Sequence, residues 1–156
     1  KTAPYMMSLY YNMEQIIGKA RLDILRSSGM VKVIPLAYMR GLTLTDSIVV
    51  LDEAQNATPS QIKTFITRIG NRSKYIINGD LMQSDIRGVN GLNDAIKRFT
   101  GVKRVGFSQF DLSDIVRHPI VAELPNVNPT AGKHVAHAAA VLKPVPSSAL
   151  LVFSLL

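Results

Sequence analysis

Three short runs of β-branched and aromatic residues, separated by segments of helix length, constrain this chain more than any other feature. Residues 31–34 read VKVI and are closed by Pro35, residues 47–51 read SIVVL, and residues 74–78 read KYIIN. Each is too short for a helix and apolar enough for a sheet interior, with SIVVL expected to be buried on both faces. Between them the period changes. Met6, Leu9, Tyr10, Met13, Ile16, Ile17, Ala20 and Ile24 recur in steps of three and four, which predicts one amphipathic helix over residues 5–28, stopped by Gly29. Thr58 as N-cap, Pro59 at the first helical position and Gln61 completing a capping box predict a second helix. Its apolar face is Ile62, Phe65, Ile66 and Ile69, and Gly70 ends it. Residues 93–99 read as helix, 104–110 as an alternating strand, and 113–124 as helix interrupted at Pro119. Strands alternating with helices imply parallel pairing through helical crossovers, and so an α/β fold.

Composition narrows the function classes. With 156 residues, 47% hydrophobic and 19% charged, the chain is one domain's worth and has the apolar surface that disordered chains lack. No run approaches the roughly 18 apolar residues of a membrane-spanning helix, and the apolar stretch at 149–156 is too short. The absence of cysteine excludes a disulfide scaffold, a thiolate metal site and a cysteine nucleophile, and fits a reducing, cytoplasmic compartment. The net charge of +7 suggests a polyanionic partner, nucleotide or nucleic acid. Lys97-Arg98 and Lys103-Arg104 are the nearest approach to a basic cluster; they either touch phosphates or solvate a helix–strand edge. No aromatic residues interleave with them as in surfaces that stack single-stranded bases. Residues 125–156 contain four prolines and no Asp or Glu. That shift divides the chain into a domain over 1–124 and an atypical extension over 125–156, expected to be poorly ordered or an artefact.

The chemistry gathers at two strand ends. Ile48-Val49-Val50-Leu51 runs into Asp52-Glu53-Ala54-Gln55, so an interior strand delivers two carboxylates at its C-terminal end, where open α/β sheets bind ligands. In nucleotide hydrolysis the first carboxylate of such a pair holds magnesium and the second polarises the attacking water. Holding both charges together calls for burial and a nearby cation. Lys74-Tyr75-Ile76-Ile77-Asn78 runs likewise into Gly79-Asp80-Leu81-Met82-Gln83, whose neutral amide can contact a terminal phosphate or the attacking water. Two neighbouring strands presenting these groups to one crevice are more specific than either alone.

LDEAQ at 51–55 with GDLMQ at 79–83 resembles motifs II and III of superfamily 1 helicase-like P-loop ATPases. The flanking text, VIPLAYMRG at 33–41, LDEAQNAT at 51–58, FITRIG at 65–70, Arg87-Gly88-Val89 with Gly91-Leu92, and Val116-Arg117-His118-Pro119, is similar to the PhoH family over residues 1–124. The resemblance implies a RecA-like P-loop NTPase core with a mostly parallel sheet. It also implies ATP and Mg2+ as cofactors and, in some members, work on RNA. Carried onto this sequence, it implies Asp52 for magnesium, Glu53 for water activation and Gln83 for the γ-phosphate, with Asp80 beside them. Arg117 either completes a site, in its own subunit or a ring neighbour's, or makes a structural salt bridge. Arg40 and Arg68 fall in matching motifs without an assigned role, and His118 shapes the turn before Pro119.

The departures matter as much. The phosphate-binding loop Gly-x-x-x-x-Gly-Lys-Ser/Thr is missing. Gly132-Lys133 has Val127 in place of the first glycine and His134 in place of the hydroxyl, and Lys1-Thr2 is followed by Pro4. The stretch between Asp85 and Gly91 is shorter than the family pattern. The expectation is therefore the C-terminal part of an ATPase, carrying half a site and inactive alone, with a non-catalytic RNA- or protein-binding module as the alternative.

Overall fold

A computed structural model describes residues 3–110, 114, 136–141 and 150–155. In chain order the elements are α1 (Ala3–Ile17), α2 (Lys19–Ser27), β1 (Val31–Pro35), β2 (Ser47–Leu51), α3 (Pro59–Ile66), β3 (Lys74–Asp80), α4 (Gly91–Phe99), β4 (Val105–Phe110), β5 (Ala136–Val141) and β6 (Leu150–Leu155). Three short 3-10 turns, Leu36–Met39, Ala54–Asn56 and Leu81–Gln83, follow β1, β2 and β3. The strands form one sheet in the order β1-β6-β2-β3-β5-β4. The first four are parallel, while β5 runs antiparallel to both β3 and β4.

Two apolar clusters show why the sheet has helices on both faces. Val49, Leu51, Tyr75, Ile77 and Val152 pack with Ile62 and Phe65 of α3 and with Leu92 and Ala95 of α4. On the opposite face Val31, Val33, Val50 and Phe153 meet Met6, Leu9, Tyr10 and Met13 of α1 and Leu25 of α2. The alternation of strand side chains sends neighbours to opposite layers. In β2 this alternation is graded: Ser47, Val49 and Leu51 are buried, whereas Ile48 and Val50 are half-buried, so the expected burial on both faces is complete on one face only.

The helix expected over 5–28 is two helices. Gly18 sits at φ 78, where a residue without Cβ bears no steric cost, and it breaks the run between Ile17 and Lys19. The helix after Thr58 starts as expected. Thr58 Oγ1 accepts the Gln61 N–H at 3.3 Å, and Gln61 Oε1 accepts the Thr58 N–H at 2.8 Å. It ends at Ile66, before Ile69, as the chain turns to meet Leu44, whose carbonyl accepts the Gly70 N–H at 2.9 Å. There Gly70 is required: a Cβ would lie 2.6 Å from the Leu44 carbonyl oxygen.

Residues 125–156, read from composition as a poorly ordered or artefactual extension, supply β5 and β6, and β6 lies inside the parallel sheet between β1 and β2. Val152 and Phe153 belong to the two cores described above. Of the helix expected over 113–124 only Asp114 is among the described residues, and Gly132 and Lys133 lie outside them.

Candidate functional site

Since β1, β2 and β3 run parallel, the turns that follow them emerge on one edge of the sheet. β2 and β3 are direct neighbours, with Leu51 opposite Ile77, so the turns that carry the two motifs leave the sheet side by side. Each carboxylate there is oriented by a side chain of the other motif or of its own turn. Asp52 Oδ1 accepts the side-chain amide of Asn78 at 2.8 Å. Glu53 stands at φ 55, the left-handed region, and its Oε2 accepts the Gln55 amide at 2.7 Å. Asp80 closes its own turn: one oxygen accepts the Met82 N–H at 2.9 Å, and the other accepts the Gln83 amide at 2.7 Å.

Gln55 joins these pieces. Its side chain is 2% exposed; besides donating to Glu53, it accepts the Asp80 N–H at 3.0 Å. Its backbone carbonyl accepts the Ser84 hydroxyl at 3.0 Å and the Asn90 amide at 2.8 Å. The loop between β3 and α4 is thereby fastened at both ends to the turn after β2, with Asp85 N–H on Asn56 Oδ1 at 2.9 Å and Gly91 N–H on the Ala57 carbonyl at 2.8 Å. The glycine of GDLMQ is a packing requirement, because a Cβ at Gly79 would lie 2.6 Å from Gln55 Oε1 and 2.9 Å from Leu92 Cδ2.

The sequence motifs contained Gln55 and Asn78 without revealing their work. The available signal was Gly79, since a glycine inside a strand marks a close approach by another group. Asp52 and Glu53 are both exposed, and among the described residues neither makes an ion pair. The burial and cation expected to hold the pair together are not found there; water screens the two charges instead. Among the described residues no three His, Asp or Glu side chains gather as a metal cage. Arg117 and His118 lie outside the described residues. Arg68 lies away from the carboxylates, donating to the Leu42 carbonyl at 3.3 Å and to the Thr67 hydroxyl at 3.1 Å.

Four parallel strands between helical layers, with polar groups at their C-terminal ends, have the architecture of a P-loop NTPase-like core, here as a partial domain. Comparison with known proteins carries this to a family: residues 1–128 match the PhoH-like protein model, and the chain belongs to the PhoH family. A PhoH-like protein of Bacillus subtilis is 44% identical over 126 residues, covering 80% of this chain and 40% of that protein. A PhoH-like protein of Synechocystis is 40% identical over 126 residues, 80% of this chain and 38% of the relative. Protein PhoH of Escherichia coli K12 is 43% identical over 121 residues, 75% and 34% respectively. The aligned part thus spans about two fifths or less of these relatives.

Proposed function

We propose that this chain is the part of a PhoH-like ATPase that supplies the carboxylates for Mg-ATP hydrolysis, coupled to remodelling of RNA or another nucleic acid. The observation that carries this reading is the linkage, through Gln55, of Asp52-Glu53 on one strand end to Asp80 and Gln83 on the next. Asp52, oriented by Asn78, would hold magnesium. That ion takes one or two carboxylates and draws its other ligands from water and phosphate, so a single exposed carboxylate suits it. When bound, it neutralises charge on the β- and γ-phosphates. Glu53, oriented by Gln55, would take the proton of the attacking water. Gln83, held by Asp80, would meet the terminal phosphate or that water, so Asp80 serves the site through Gln83. Arg117 would complete the site in its own subunit or in a ring neighbour, a contribution of about 10³ to 10⁵ in turnover for an arginine finger.

The test uses the intact protein. Glu53→Gln is expected to bind ATP and lose turnover, and undiminished hydrolysis would overturn the assignment. Gln83→Ala is expected to blunt the response of hydrolysis to added RNA; an unchanged response would remove that role. One feature favours a second reading, a non-catalytic RNA- or protein-binding module: these 156 residues contain no phosphate-binding loop. RNA affinity in the intact protein separates the two, since only an ATPase coupled to nucleic acid would change that affinity when ATP and magnesium are added.

A further inference from the structure

The turn after β1 ends on the same sheet edge as the carboxylates, and nothing above assigns it a task. It carries Tyr38, 74% exposed, between Ala37 and Arg40. Ala37 and Arg40 line a pocket of about 320 Å³ together with Leu36, Ser60, Gln61 and Thr64. No acidic residue lines it, and among the described residues Arg40 makes no hydrogen bond or ion pair. Ser60 and Gln61 belong to the first turn of α3, the positive end of that helix's dipole, and hydroxyl and amide groups there add donors beside the guanidinium. Gln61 Oε1 is already engaged by the Thr58 N–H, which leaves the Gln61 NH2 as the part of that amide able to donate. A cation among neutral donors with no competing carboxylate is complementary to a phosphate. Tyr38, two residues before Arg40 in the same turn, does not line the pocket; its exposed phenol ring offers a stacking face to a base whose phosphate sits there.

We infer that the turn at Tyr38–Arg40 and the first turn of α3 bind single-stranded nucleic acid, with a base stacked on Tyr38 and a backbone phosphate at Arg40. This deepens the nucleic-acid half of the reading above, and it requires no hydrolysis. A strand seated there lies on the same edge as Asp52 and Glu53, next to the turn after β2. Tyr38 and Arg40 stand two residues apart in the sequence, outside the basic clusters at 97–98 and 103–104, and only the fold sets Arg40 beside the first turn of α3.

The experiment is fluorescence anisotropy of a labelled 15-nucleotide single strand, as RNA and as DNA, titrated with the intact protein without ATP or magnesium. The wild-type protein is expected to bind, and a higher affinity for the RNA arm would identify contacts to the 2′-hydroxyl. Tyr38→Ala is expected to weaken binding about tenfold while Tyr38→Phe stays within about twofold, as stacking requires. Arg40→Gln is expected to weaken binding and to reduce the slope of log affinity against log salt by about one. Lys19→Gln, which removes a cation already paired with Asp23 on α2, serves as the control for net charge. The proposal is overturned if neither strand binds, if Tyr38→Ala and Arg40→Gln bind like the wild type, or if Lys19→Gln is as damaging as Arg40→Gln. Because no nucleotide is present, these outcomes are independent of the Glu53→Gln test.

Discussion

The buried side-chain carbonyl of Gln55 accepts the backbone N–H of Asp80 at 3.0 Å, and this one bond ties the turn after β2 to the end of β3. Its consequence is a coupled pair. Gln55→Ala removes this acceptor together with the amide that donates to Glu53 and is expected to cost about 1 to 3 kcal/mol in urea unfolding. Gly79→Ala drives a Cβ toward Gln55 Oε1 and should cost a similar about 1 to 3 kcal/mol through overpacking. In the double variant the clash with Oε1 is gone, so the combined loss should be smaller than the sum. Strict additivity would show that the two do not touch in solution.

Tyr75 is an inverse case, where removing a polar group should help. It is 1% exposed, its ring lies 4.8 Å from that of Phe65, and among the described residues its hydroxyl has no hydrogen-bond partner. Burial pushes the phenol pKa well up, with the Arg68 charge a weaker opposing influence. Tyr75→Phe keeps the ring contact and deletes the orphaned hydroxyl, so stability should rise by about 1 kcal/mol or more. A loss of stability in urea unfolding would contradict this and would mean that a water bridges Tyr75 to Arg68.

The loop before β2 carries an ion pair with a defined pH dependence. Arg72 Nε donates to Asp46 at 2.6 Å and its second nitrogen donates at 2.8 Å, and this hydrogen bonding holds the Asp46 carboxyl below its usual range. A carboxylate with a depressed folded-state pKa contributes stability that is fully present above the unfolded value near 3.9 and is lost as pH falls through the folded value. Asp46→Asn should therefore be less stable than wild type at pH 7, with the gap closing below pH 4. Both groups are exposed, so the gap should also shrink in high salt. A gap that widens on acidification would reverse the sign and exclude the pair as its cause.

The cap of α3 supports the site at one remove, because α3 follows the DEAQ turn. Thr58→Ala removes the acceptor of the Gln61 N–H and should cost about 1 kcal/mol, whereas Thr58→Ser should be nearly neutral. Thermal unfolding of the three proteins checks this, and equal losses for both variants would point to the methyl group instead of the hydroxyl.

Local chemistry made much of this protein legible without coordinates. The capping box at Thr58, the strands at SIVVL and KYIIN and the exit of Asp52 and Asp80 at their C-terminal ends follow from residues within one turn or one strand of each other. Gly18 shows where that reasoning stops. The apolar period runs through it undisturbed, but the backbone takes φ 78 and splits the helix. Nothing in that period distinguishes a glycine that continues a helix from one that turns it.

What needed the folded chain depends on contacts across long separations. Gln55 and Asp80 are 25 residues apart, Asn78 and Asp52 are 26 apart, and each bond exists because β2 and β3 pair in one register. The seating of β6 between β1 and β2, and of β5 against β3, likewise arises from hydrogen-bond ladders between strands far apart in the chain. A strand's own residues fix its period and which face is apolar. They do not name its neighbour, because every strand offers the same backbone donors and acceptors and only packing of the whole sheet selects among them.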